Sequence, residues 1–147
     1  MEIYVLSDRR LASLDAWQQA VDADGFGLRF LGEIPIETIR GYLPAQWKEK
    51  PAGFECSHWN ASELMREYPE VNFGRLWSHA LALRWGADLN ACQGANMAAT
   101  AYANATEGVV FDPEAGALFS PAQAAARVRE MEKLLPSIEA ALKDIGR

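Results

Sequence analysis

Thiols and imidazoles are scarce in this sequence: 147 residues hold two cysteines and two histidines. Two cysteines make no disulfide framework for a domain of this length, so both are expected to stay reduced. Cys56, His58, His79 and Cys92 also lack the paired spacing of a structural zinc site, and no metal is expected. Basic residues are outnumbered. Lys and Arg total 14 against 20 Asp and Glu, for a formal net charge of −6 and an isoelectric point near 4.9. Direct binding of DNA or RNA is therefore disfavoured, because phosphate contacts call for a basic surface. No uncharged apolar run approaches the roughly 20 residues of a membrane span. The N-terminal MEIYVLSDRR has too short an apolar run for a signal peptide. These absences predict a soluble cytoplasmic protein. There is no phosphate-cradling glycine loop either. Gly25-Phe26-Gly27 lacks a third glycine and follows a helical pattern instead of opening one, which excludes a dinucleotide site. No cofactor is expected. Ser7, Ser13 and Ser57 have no nucleophile-elbow setting.

What is present is apolar and aromatic. Half of the residues are hydrophobic and five are Trp. That suits one domain over residues 1–147 with one real core. The stretch from Leu76 to Ser120 organises it. Trp77, His79, Leu81, Leu83 and Trp85 alternate with Ser78, Ala80, Ala82 and Arg84. This period of two predicts a central strand with both faces at least partly covered. Leu89 to Thr106 follows without one charged residue and with seven alanines from Ala91 to Ala105. A solvated helix usually carries a charged face, so this slim helix is expected to be buried on most sides. Asp88 or Asn90 can cap its start, and Gly108 is expected to end it. Val109 to Phe119 then reads as a hairpin around Asp112-Pro113-Glu114-Ala115-Gly116.

The rest of the chain falls around that stretch. Residues 2–7 alternate as a strand. Ser13 can cap a helix whose stripe is Leu14, Trp17, Ala20 and Val21. Phe26 to Leu31 reads as a second strand. Gly32 to Gly53 is irregular, with Pro35, Pro44 and Pro51; Ile36 to Tyr42 is read as a short helix, and Trp47 as an apolar residue at the surface. Residues 53–59 alternate again. Asn60 and Glu63 have capping-box spacing, which predicts a helix from Ala61 to about Tyr68. Ser120-Pro121-Ala122-Gln123 is a stronger helix start. It leads into an apolar face of Ala124, Val128, Met131, Leu135, Ile138 and Leu142, with a kink or break expected near Pro136. The fold class is α+β: one mainly antiparallel sheet of about five to six strands with about four helices packed on it.

Several groupings invite chemistry. Cys56 and His58 share a strand face, and a thiol beside an imidazole can be an activated nucleophile; the commoner outcome is a half-buried strand with a satisfied histidine. Glu63, Glu67 and Glu70 could hold a metal or form an acidic binding surface, or simply solvate a helix face. A neutral polar stripe of Gln93, Asn96, Thr100 and Asn104 could orient a ligand in a pocket beside residues 89–106, with His58 and His79 contributing. Its commoner role is bonding to nearby backbone or water.

Three pieces carry a resemblance: GYLPAQW with PAGFEC, SHALALRWGADLNAC, and AYANATEGVVFDPEAGALFSPAQA. Over Gly41 to Ala124 the chain resembles small bacterial α+β proteins of the immunity and antitoxin kind. That resemblance implies a non-enzymatic binding role and attaches no catalytic motif. The leading expectation is a protein-binding module, an immunity protein that masks the active site of a basic toxin such as a nuclease. Trp47, Glu55, Trp59, Glu63, Glu67 and Glu70 are its expected contacts, aromatic anchors with acidic neighbours. The alternatives are a small-molecule binder or enzyme using Gln93, Asn96, Thr100, His58 and His79, and a homo-oligomer joined through the alanine helix.

Overall fold

In the computed structural model, which describes residues 1–145, the sheet expected from the alternating stretches has six strands. They are β1 (Glu2–Ser7), β3 (Arg40–Leu43), β6 (Phe54–Asn60), β7 (His79–Arg84), β8 (Val109–Asp112) and β9 (Ala117–Phe119), in the spatial order β3-β6-β7-β1-β8-β9. Every neighbouring pair is antiparallel. A smaller antiparallel sheet joins β2 (Arg29–Phe30), β4 (Ala45–Trp47) and β5 (Lys50–Pro51). Four α-helices complete this α+β domain: α1 (Leu14–Ala23), α2 (Ala61–Glu67), α3 (Leu89–Thr106) and α4 (Pro121–Ile145).

The period of two divides the interior into two cores. Ile3, Val5, Cys56, Leu81, Leu83 and Val110 face the side covered by α1, α3 and α4. Tyr4, Leu6, Ala80, Ala82 and Phe111 face the opposite side, where α2 and the loop bearing Phe73 pack. Both faces of β7 are thus occupied. Trp85 joins the first core, while Trp77, which precedes the strand, packs on the second.

Helix α3 spans the residues its composition predicted, and 12 of its 18 residues are buried. Alanines allow this: with only a methyl at most positions, neighbouring elements approach closely on several sides. Asp88 caps it, accepting from the Asn90 N–H at 2.9 Å. Its end differs from expectation. The left-handed residue is Glu107, at φ 57°, and the Gly108 N–H reaches back to the Ala103 carbonyl at 2.8 Å. Gly108 is needed for space, since a Cβ there would overlap the Leu6 carbonyl oxygen and come within 3.0 Å of the Ser7 Cβ. A left-handed glutamate is strained by its own Cβ. Glu107→Gly should therefore raise stability by about 0.5–1 kcal/mol in urea denaturation. The Arg9–Glu107 ion pair it removes is mostly in water, with side chains 59% and 85% exposed, and contributes little.

Other starts follow the sequence. The Ser13 side chain accepts from the Ala16 N–H at 3.0 Å. Ser120 and Gln123 form a reciprocal box, at 3.2 and 2.9 Å. Asp112 Oδ1 accepts from the Glu114 and Ala115 N–H groups, at 3.0 and 3.3 Å, and sets the hairpin turn.

Four expectations need correction. Asn60 precedes α2 but makes no side-chain cap bond. Residues 26–31 form a strand only at Arg29–Phe30, although Phe26, Leu28 and Phe30 are all buried. The helix expected over Ile36–Tyr42 is a single 3-10 turn at Ile36–Thr38, after which the chain pairs as β3, because Leu43 and its neighbours have β6 to pair with. Helix α4 runs through Pro136 without a break. Pro136 is exposed, so water can solvate the carbonyl its ring leaves without a donor. The apolar face of α4 packs at Ala124, Val128 and Leu135, but Leu142 is 53% exposed.

Candidate functional site

The second face of the sheet is only partly roofed. Helix α2 and the Phe73 loop cover its centre, and the corner made by β3, β6 and β7 stays open. Register places residues there in rows across the strands. Tyr42, Glu55, Arg84 and Glu2 form one row, and Arg40, Ser57, Ala82 and Tyr4 the next. Tyr42 is 57% exposed, unusual for so large a ring on a sheet face. Trp59 lies one row further along, opposite Ala80, half-buried, its ring N–H donating to Ser57 Oγ at 3.0 Å. Arg84 stacks its guanidinium over the Trp59 ring at 5.5 Å and donates from Nε to Glu2 at 2.9 Å. Burial pushes the Tyr4 hydroxyl up to about 12.

Three shallow hollows of about 520, 240 and 320 Å³ follow these rows. The first two share Glu55 and Arg84, and the last two share Arg40. They make one trough, from the end of β7 to His58 and Glu63. Glu67 and Glu70 are exposed beside Tyr68, whose hydroxyl is raised chiefly by burial and further by the charges of Glu2, Glu67 and Glu70. Among the described residues Glu55, Glu63, Glu67 and Glu70 make no ion pair. They are free to pair with an incoming cation.

Compared with protein-family models, with curated proteins and with solved structures, the chain matches none.

Glu55, Trp59 and Glu63 line the trough, and Glu67 and Glu70 lie on α2 and just beyond it. Trp47 does not belong with them. It is 5% exposed, in the core, where β4 pairs with β2 and β5. The prolines around it mark tight connections between short strands, and that turn chemistry resembles a surface loop when read alone. Nothing in the sequence marks Tyr42, Arg40 and Arg84, because locally a strand face that a helix covers looks the same as one it leaves open.

The thiol–imidazole pair does not form a reactive site. Cys56 is 2% exposed, and burial pushes its thiol up to about 12. His58 Nε2 lies 2.6 Å from the Ile36 carbonyl, and burial lowers its pKa despite that bond. His79 sits at the start of β7, opposite Ser7 and Asn60. No group of three His, Cys, Asp or Glu side chains converges to hold a metal among the described residues, and no helix among them is long and apolar enough to cross a membrane.

The Cys56 environment has a consequence at high pH. The unfolded thiol ionises above its ordinary value of 9.0, while the folded one stays neutral to about 12. Stability is thus fully present below pH 9 and falls above it by about 1.4 kcal/mol per pH unit. Tyr4, raised from 10.0 to about 12, adds a second such decline above pH 10. Urea denaturation at pH 8, 9.5 and 11 should show this decline, and Cys56→Ala should make its first part shallower, leaving the share of Cys92, whose thiol burial also raises.

The neutral stripe on α3 also separates. Gln93 and Asn96 line a partly open hollow of about 180 Å³ between α3, α4 and the ends of β1 and β8. Gln93 is fully buried, and its Nε2 donates to the Val128 carbonyl at 3.1 Å. Thr100 is buried and donates to the Asn96 carbonyl within the helix at 2.8 Å, outside the cavity lining. Asn104 reaches Asp24 at 3.0 Å. His58 lies at the trough instead, and His79 lines neither hollow. Helix α3 is buried inside the fold, so it offers no free face for self-association.

Proposed function

We propose that the protein is a non-enzymatic binding module whose docking surface is the trough on the open corner of the sheet, and that its partner is a basic protein. The observation that carries this reading is the uncovered row of Tyr42, Glu55 and Arg84 beside Trp59. Aromatic and arginine side chains of this kind dominate interface energetics when a partner dries them. An antiparallel sheet can leave one face in water with no partner at all, but such a face is ordinarily polar. The exposed Tyr42 ring and the half-exposed Trp59 ring depart from that pattern. The net charge of −6 and the four carboxylates around the trough that make no ion pair among the described residues favour a basic partner and speed its approach. Covering the active site of a basic toxin, in the manner of an immunity protein, fits both the surface and the resemblance over Gly41 to Ala124.

The test compares the chain with the Tyr42→Ala/Trp59→Ala variant as baits in parallel captures. A stoichiometric basic partner should bind the first and be lost from the second, by at least 30-fold in Kd if the two rings act as hot spots at about 2 kcal/mol or more. Changing Glu63, Glu67 and Glu70 together to Gln should slow association and flatten its salt dependence. A partner held equally by chain and variant would place the surface elsewhere.

A further inference from the structure

The six-stranded sheet ends in β3, and that edge is open. β3 pairs with β6 on one side only. An antiparallel strand turns alternate residues toward each neighbour, so half of the N–H and C=O groups of β3 face away from β6. Among the described residues, no backbone hydrogen bond from another element reaches Arg40, Gly41 or Tyr42 on that side. All three residues are exposed. Nothing lies within 4 Å of a Cβ added to Gly41, so no part of the chain folds over the middle of the strand. The opposite edge, β9, differs. It lies against α4, with the Arg127 guanidinium over the Phe119 ring at 4.0 Å. A free edge is a template for one more strand.

The side chains of β3 suit one occupant, the β3 of a second copy. Arg40 and Tyr42 stand on the trough face, with Gly41 between them on the other face. A two-fold axis through the middle of an antiparallel pair sets Gly41 of one copy against Gly41 of the other. It also sets Arg40 of each copy beside Tyr42 of the other, on one face. Each guanidinium then meets the exposed Tyr42 ring and, one strand further along the same row, Glu55. Neither Arg40 nor Glu55 makes an ion pair among the described residues. The charge on one copy thus complements the ring and carboxylate on the other, and symmetry uses each contact twice. A charge on an edge ordinarily deters pairing. Here it has an opposite charge and an aromatic face to meet.

We propose that two copies of the chain pair edge to edge through β3 and join their sheets into one. Strands of four residues bury little area, so the pair is weak, with a Kd on the order of 100 µM. The net charge of −6 on each copy opposes it, and salt at about 0.15 M screens most of that repulsion. Pairing takes Tyr42 and Glu55 from the trough and leaves Trp59, Glu63 and Arg84 open. A second copy and a basic partner therefore compete for the corner, and neither reading rests on the other.

The experiment uses the pure full chain, without any partner. Sedimentation velocity between about 5 µM and about 1 mM, at about 0.15 M salt, should show the mass rising from 16.2 kDa toward twice that value. Arg40→Glu sets a carboxylate against Glu55 of the other copy and should weaken pairing at least tenfold. Glu55→Gln should weaken it severalfold. Amide hydrogen exchange on the unaltered chain needs no variant to fold. Outward amides of β3 should exchange more slowly at the high concentration, and those of β9 should not change. A mass of 16.2 kDa throughout, a dimer that Arg40→Glu leaves intact, or a dimer without added protection in β3 would each overturn the proposal. Trp59→Ala should leave self-pairing unchanged and weaken only partner capture. Arg40→Glu should abolish self-pairing and still capture a basic partner, so failure of the partner surface and failure of this edge are told apart.

Discussion

Replacing Gly94 by alanine should lower stability by about 2–3 kcal/mol, although alanine is the better helix former. On propensity alone the change would stabilise the middle of α3 by about 1 kcal/mol. Packing reverses the sign. A Cβ at Gly94 would overlap the Ala52 carbonyl oxygen and come within 3.0 Å of the Ala52 Cβ. Ala52 cannot step aside freely. Its N–H donates to the Ala45 carbonyl at 2.9 Å, and Asn90 Nδ2 holds the preceding Pro51 carbonyl at 2.9 Å. Relief would require the small sheet to shift away from α3, with loss of contacts around Trp47. Gly86 is the control. Nothing lies within 4 Å of its added Cβ, and its φ is not in the left-handed region. Gly86→Ala should change stability by less than about 0.5 kcal/mol. Urea denaturation of the three proteins under one condition checks both the sign and the contrast. A stabilised Gly94→Ala would mean that α3 and β5 do not touch as described.

The larger loss is expected at Trp17. Its side chain is fully buried, and its ring N–H donates to the Ala98 carbonyl at 2.9 Å. Three rings surround it: Phe30 at 4.9 Å, Tyr102 at 5.2 Å and Phe54 at 6.2 Å between centroids. One side chain thus ties α1 to α3, to the small sheet and to β6. Trp17→Ala should cost about 5 kcal/mol, the top of the range for deleting a buried aromatic, because these rings belong to separate elements and cannot collapse together into the space. A domain of this size has about 5–15 kcal/mol in total. The variant should therefore melt roughly 10–20 °C lower or fail to fold at 37 °C. Trp17→Phe keeps most of the packing, loses the hydrogen bond and should fall well short of that loss. Equal losses for Ala and Phe would assign the effect to the hydrogen bond instead of the packing.

The two variants also show how far local sequence reaches. The alanine run from Ala91 to Ala105 announces a helix meant for close packing, and its lack of charge announces burial. The partner at each position is another matter. That Gly94 meets Ala52, or that Ala98 accepts from Trp17, depends on residues 42 and 81 positions away. Trp47 is the clearest case. Beside Pro44, the Lys48-Glu49-Lys50 run and Pro51 it reads as a surface residue, yet two short strands of a separate sheet fold it into the core. The site divides in the same way. Glu55, Trp59 and Glu63 could be proposed as contacts from residue type, and Gln93 and Asn96 as pocket lining from helical spacing. Tyr42, Arg40 and Arg84 could not, because each gains its place from a strand distant in the chain.

By itself the sequence determined the α+β class, five of the six main-sheet strands (all but β3), the four helices, the Ser13 and Ser120 caps, the α3 cap to within Asp88 or Asn90, and the Asp112 turn. All of these rest on periodicity and hydrogen bonds that close within a few residues. Only the tertiary structure decided which sheet corner stays open, where the Pro-rich segment pairs, and which edge strand is left without a neighbour. Those outcomes depend on which distant surfaces exclude water from one another, and no short stretch of chain carries that information.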